Sequence, residues 1–167
     1  MAVSRVIGKS MPGHYPGAVS RGGDQLIEAH INPNALSFGD PLKLVDNKWE
    51  KIETSDAETL AVGVAVRSVE QGTTYPSSDG FEIAADRDVD GLIRGYIAVE
   101  VKDGSPAVLG QVYIIDAPGD SGLLAGDFVT TVTVGTGTTI APANWKYRTA
   151  KDSVNNTAEI HILAARI

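Results

Sequence analysis

Two short stretches of this chain hold the residues best suited to chemistry. Gly119-Asp120-Ser121-Gly122 sets a serine hydroxyl in a glycine-flanked loop. Such a hydroxyl attacks only when a histidine takes its proton and a buried acid orients that histidine. His30, followed by Asp46 or Asp56, lies upstream of Ser121 and supplies both residue types in a workable chain order. The second stretch, Asp86-Arg87-Asp88-Val89-Asp90-Gly91, spaces three carboxylates at alternate positions before a glycine. Calcium takes about six to eight oxygens, and alternating carboxylates in a tight loop converge on one side. Counted from Asp86, the twelfth position is Ile97 rather than the bidentate glutamate of an EF-hand, and no helical pattern flanks the loop. Asp86, Asp88 and Asp90 are therefore at most a loose divalent-ion loop, and otherwise an acidic surface loop.

The remaining candidates are weaker. His14, His30 and His161 lie far apart in sequence without ligand spacing, so no metal site is expected from them. Gly135-Thr136-Gly137 lies between strand-like stretches and opens no helix, so it makes no phosphate cradle. Asn155-Asn156-Thr157 fits a glycosylation acceptor pattern and reads as a turn. Trp49, Trp145 and Tyr147 offer ring faces for a ligand such as a host glycan, or else close a β-core or anchor an interface. The Gly-Asp-Ser-Gly loop resembles the nucleophile loop of chymotrypsin-like serine proteases. That resemblance implies a protease using Ser121 with His30 and Asp46. Against it, Leu123 stands where the second glycine usually falls, and His30 lacks any surrounding motif. The chain is also short for two full barrels, and a Pro- and Gly-rich turn explains the loop without catalysis.

The elements that must position these residues are strands. A glycine turn followed by alternating apolar residues recurs at 37–44, 109–114 and 124–129. Glycine accepts a positive φ and strands need alternation, so each copy reads as a turn feeding a strand. Residues 26–31 form a candidate strand. Residues 41–45 and 48–52 flank Asp46-Asn47, a pair suited to a tight hairpin turn. The valine-rich run 61–66 reads as a buried strand, with Gly63 marking close approach of another backbone. Further strands are expected at 95–101, 111–115 and 128–134, at the Trp145/Tyr147 alternation, and at 158–163. Strong helical periodicity is absent throughout. The expected fold is all-β, a sandwich or barrel-like body over 25–167, as one domain or two small β-lobes. Residues 1–24, rich in glycine and proline, read as an extended N-terminal arm.

Composition narrows the function. The chain has 167 residues, 43% of them apolar, which suffices for a core. It has no cysteine, which excludes disulfides, thiolate zinc sites and cysteine nucleophiles. The net charge of −7 disfavours nucleic acid as a partner. No apolar run approaches the ~18 residues that cross a bilayer, and residues 1–17 lack a signal core. The expectation is a protein made and used without crossing a membrane by that route, with no cofactor.

Several short motifs occur together in order. They are Tyr15-Pro16-Gly17 with Ser20-Arg21 and Asp24, Phe38-Gly39-Asp40-Pro41, Val62-Gly63-Val64-Ala65, residues 95–101, and Gly110-Gln111-Val112-Tyr113. The chain thereby resembles the tailed-bacteriophage head decoration proteins, also called structural cement proteins. The likeness covers about residues 14–116, and the closing strand near 160–167 is similar. Residues 117–142 follow the family pattern less closely. The resemblance implies a non-enzymatic virion protein, a homotrimer made in the host cytoplasm and placed on the outer capsid surface. There it would clamp neighbouring major capsid protein subunits at three-fold or quasi-three-fold positions. Its partners would be the major capsid protein and copies of itself, with no nucleic acid and no membrane. Residues 1–24 would dock on the capsid, with Tyr15, Arg21 and Asp24 as contact residues, while the β-body makes the trimer.

Overall fold

A 17-residue strand, β7 (Arg87–Asp103), is the spine of the main sheet. The computed structural model describes residues 15–20, 24–57, 60–67, 82–120 and 122–163. Among them are thirteen strands and no α-helix, so the expected all-β body is present. The strands before β7 are β1 (Leu26–Asn32), β2 (Leu36–Ser37), β3 (Pro41–Val45), β4 (Lys48–Lys51), β5 (Gly63–Ala65) and β6 (Glu82–Ile83). After it come β8 (Tyr113–Ala117), β9 (Phe128–Val129), β10 (Thr133–Val134), β11 (Gly137–Ile140), β12 (Trp145–Tyr147) and β13 (Thr157–Ile162). Eleven of them form one mixed sheet along the path β10-β11-β8-β9-β7-β5-β3-β4, with β1 and β13 also on β7 and β12 on β13. The first half of β7 pairs with β1 and β5, its second half with β13, and its end runs parallel to β9.

The β3–β4 hairpin forms where the sequence places it. Asp46 and Asn47 adopt φ of 48° and 60°, the left-handed pair that a two-residue hairpin turn requires. The continuous apolar run at 61–66 makes β5, because both of its faces are covered. Val64 joins a larger cluster with Leu92, Ile97, Ile114, Trp145 and Ile160, while its neighbour Ala65 joins a smaller one with Leu42, Trp49 and Val89. Gly63 permits the close approach expected of it: a Cβ there would lie 2.7 Å from the Leu92 carbonyl oxygen.

Two expectations are corrected. The alternating stretch 128–134 is not one strand but β9 and β10 with a bend between them. The Val129 carbonyl accepts the Tyr147 hydroxyl at 2.9 Å, and the Val132 carbonyl accepts Thr139 Oγ1 at 2.7 Å. Side chains thus take the acceptors that a continuing ladder would use. The stretch 86–91 is not an acidic loop, for β7 already begins at Arg87 and pairs residue by residue with β1. Asn32, fully buried, accepts the Arg87 N–H at 2.8 Å and donates to the Asn34 and Ala84 carbonyls. That amide fixes the entry to β7, and Val89 fills the smaller core.

Candidate functional site

Residues 15–20, the root of the expected arm, are sewn to β7. Gly17 N–H donates to the Ala98 carbonyl at 2.8 Å, Ala98 N–H to Ala18 at 3.0 Å, and Ser20 N–H to Tyr96 at 3.1 Å. Val19 bridges Ile97 in antiparallel sense. On the other side of the root, Arg67 N–H donates to the Gly17 carbonyl at 2.8 Å. Gly17 sits at φ 78°, and a Cβ there would stand 2.9 Å from both the Ala65 carbonyl oxygen and Phe38 Cβ, so the position admits only glycine. The Ser20 hydroxyl donates to Glu159 Oε2, a carboxylate of β13 that is 3% exposed. Hydrogen bonding is what makes a buried carboxylate tolerable, and the root supplies part of it here.

Of the expected contact residues, Tyr15 opens this root and Asp24 lies beyond it, just ahead of β1. Tyr15 is half exposed, and the Arg67 guanidinium carbon lies 5.0 Å from its ring centroid, within cation–π range. Asp24 pairs with Arg94 at 2.7 Å. Asp24 is largely exposed, so the pair contributes on the order of 0–1 kcal/mol and chiefly orients the two side chains. Arg21 lies outside the described residues. Arg67 and Arg94 escape sequence reasoning because no local signal joins them to the root; Asp24 and Arg94 are 70 positions apart.

Pro16, in the root, also lines a cleft of about 450 Å³ between residues 38–40 and residues 122–128. Its charged side chains are matched within it: Lys51 pairs with Asp40 at 3.0 Å and Lys102 with Glu100 at 2.9 Å. Asp127 accepts the Leu124 N–H at 2.8 Å, which shapes the loop on the far wall. Gly122 and Leu123 border the cleft, but no histidine is among its described lining residues.

The catalytic and metal readings do not assemble among the described residues. Ser121 itself lies outside them. His30, on β1, has Nε2 3.5 Å from Glu28 and its ring edge-on to Trp49 at 5.0 Å. Asp46 is spent in the hairpin turn. Asp56 accepts Lys43 Nζ at 2.8 Å and the Glu53 N–H at 2.7 Å, so neither acid orients His30. The neighbouring Asp120 accepts the Thr136 N–H at 2.9 Å and the Thr136 hydroxyl at 3.0 Å, and these bonds hold its carboxyl below the ordinary range. Asp88 and Asp90 lie on a strand, and no three metal-ligating side chains gather among the described residues. The aromatic-ligand reading fails because Trp49, Trp145 and Tyr147 are buried. The Tyr147 hydroxyl is so desolvated that its pKa is pushed well above the ordinary phenol value.

A family model described as XM1 gp53 minor capsid protein matches residues 4–162. Among solved structures, a chain of the capsid of Myoviridae phage XM1 superimposes with a TM-score of 0.68 at 20% identity, over 97% of this chain and 98% of that one. At that identity the likeness establishes a shared fold. No curated protein matches.

Proposed function

The chain belongs to the XM1 gp53 minor capsid protein family, and we propose that it cements the outside of a tailed-phage head. In this reading it acts as a homotrimer at three-fold or quasi-three-fold positions, joining neighbouring major capsid protein subunits without turnover. The observation that carries the reading is the family match over 4–162, nearly the whole chain. The sewn root supports it physically. A cement must transmit load from its capsid contacts to its own body, and residues 15–20 are hydrogen-bonded to β7, the strand with the most partners among the described residues. Three roots on one trimer multiply weak contacts through effective concentration. Charge complementarity across such contacts fixes register and partner choice more than affinity.

The contact residues of this reading are Tyr15, Arg21 and Asp24. Replacing all three by alanine should leave the body folded and lower co-sedimentation with expanded capsids by roughly tenfold to a hundredfold, at about 0.5–1 kcal/mol per contact. Undiminished capsid binding would remove the root from the interface. Light scattering of the purified protein tests the trimer directly, and a monomer at micromolar concentration rejects it.

A further inference from the structure

Strand β1 is built inside out. Its polar row runs from Glu28, which is exposed, to His30 against Trp49 and Asn32, which is fully buried, so the two positions that face the body are polar. Its outer row, Ile27, Ala29 and Ile31, is exposed, with Ile27 at 40% and Ile31 at 48%. Soluble strands put the apolar row inward, so an outward apolar row calls for a cover. The register sets Ile27 opposite Leu92, Ala29 opposite Asp90 and Ile31 opposite Asp88. Opposed residues of an antiparallel pair share a face, so this apolar row is flanked by two carboxylates. Leu92 belongs to the larger core, which makes the outer row a continuation of that core onto the surface. Residues 26–32 contain neither lysine nor proline, the residues that normally protect an exposed strand.

The chain carries a segment whose chemistry fits this row. Residues 3–9 read Val-Ser-Arg-Val-Ile-Gly-Lys. In extended form Val3, Arg5 and Ile7 share one side at steps of about 6.6 Å, the same steps that separate Ile31, Ala29 and Ile27. Laid antiparallel, Val3 meets Ile31 and Ile7 meets Ile27. Arg5 then crosses the small Ala29 toward Asp90. Residues 1–14 hold Arg5 and Lys9 and no acid, against the two carboxylates of the acceptor face. Fourteen residues reach up to about 46–50 Å. A folded chain of this length has a radius of gyration of about 15 Å, so fourteen residues are long enough to reach a neighbouring copy.

We propose that residues 3–9 of one copy lie along the outer face of β1 of the next copy. The inference rests on the self-association in the reading above and deepens it by naming the strap. Donor and acceptor patches differ, so the contact is heterologous, and in the trimer proposed above three such contacts would close the ring.

The natural absence of cysteine gives a clean test. In the full chain carrying Val3→Cys and Ile31→Cys, mild oxidation should yield covalent dimers and trimers on a non-reducing gel. Peptide mapping should find the disulfide between positions 3 and 31 of different copies. No such disulfide, closure within one chain at monomer mass, or linkage to the major capsid protein in a mixed sample would each overturn the proposal. Independently, Arg5→Glu and Asp90→Arg should each weaken self-association by roughly tenfold in sedimentation velocity, and the pair together should restore it. Unchanged association in both single variants overturns the strap. Capsid co-sedimentation is read on the same samples. Cross-linking between copies with capsid binding lost supports the strap and faults the cement reading; capsid binding retained with no link between positions 3 and 31 overturns the strap alone.

Discussion

In β7, residues 95–101 are backed by β13 and closed over by Trp145 and Tyr147, whereas residues 87–91 share their outer face with β1 and leave it open to solvent. The same strand serves two purposes. Its second half spends apolar side chains on the core, where Ile97, Val99 and Val101 are fully buried. Its first half holds up a surface on which Ile27 and Ile31 face outward beside acids. Apolar character alone therefore does not tell which residues hold this fold together; burial separates them. The lesson is that the closed half should register in stability and the open half in association.

Substitutions can break that division or sharpen it. Trp145→Ala removes a nearly buried indole from the closed half and should cost about 3–5 kcal/mol in urea denaturation. A loss below about 1 kcal/mol would mean that this half is not the core it looks like. Tyr147→Phe keeps the ring and removes the hydroxyl that serves the Val129 carbonyl, so about 1–3 kcal/mol should be lost with little change in volume. On the open half, Ile31→Ser should move the denaturation midpoint by no more than about 0.5 kcal/mol while weakening self-association. A large destabilisation there would erase the contrast between the halves.

The smallest expected effect lies where the exposed β8–β9 loop meets the β10–β11 turn. Thr136 holds Asp120 below its ordinary value of 3.8. The contact therefore adds stability above that pH and loses it as pH falls through the lowered folded value. Thr136→Val removes the hydroxyl but keeps the backbone donor, so the Asp120 titration midpoint should move part of the way back up, as read by NMR. No movement would assign the whole depression to the backbone.

Local signals carried into the fold and long-range ones did not. The β3–β4 hairpin is legible because Asp46 and Asn47 decide it over two residues. The shared face of Trp145 and Tyr147 is legible from alternation, but its inward direction is set by β13, β8 and β9, which lie elsewhere in the chain. The early start of β7 is hidden because Asp86-Arg87-Asp88-Val89-Asp90-Gly91 has the composition of a loop. What makes it a strand is the buried amide of Asn32, 55 positions away from Arg87. The break at 130–132 is hidden for a similar reason, since it depends on a tyrosine hydroxyl from β12. Of the contact residues expected in the arm, Tyr15 and Asp24 could be picked out as polar and exposed. Their partners Arg67 and Arg94 could not, for each arrives from a separate turn of the chain.

The way residues 15–20 lie beside β7 has a mechanical consequence. A pull on the chain ahead of Tyr15, directed along the strand, loads the hydrogen bonds of Gly17, Ala18 and Ser20 together in shear instead of peeling them one by one. Rupture under force follows the unfolding barrier rather than equilibrium stability, so this seam should yield at higher force along the strand than across it. Single-molecule stretching from the two geometries would compare them, and equal rupture forces would refute the idea. Under the cementing role proposed above, a swelling shell would pull on such a seam, and a joint that is strongest lengthwise would resist best when pulled along its strands.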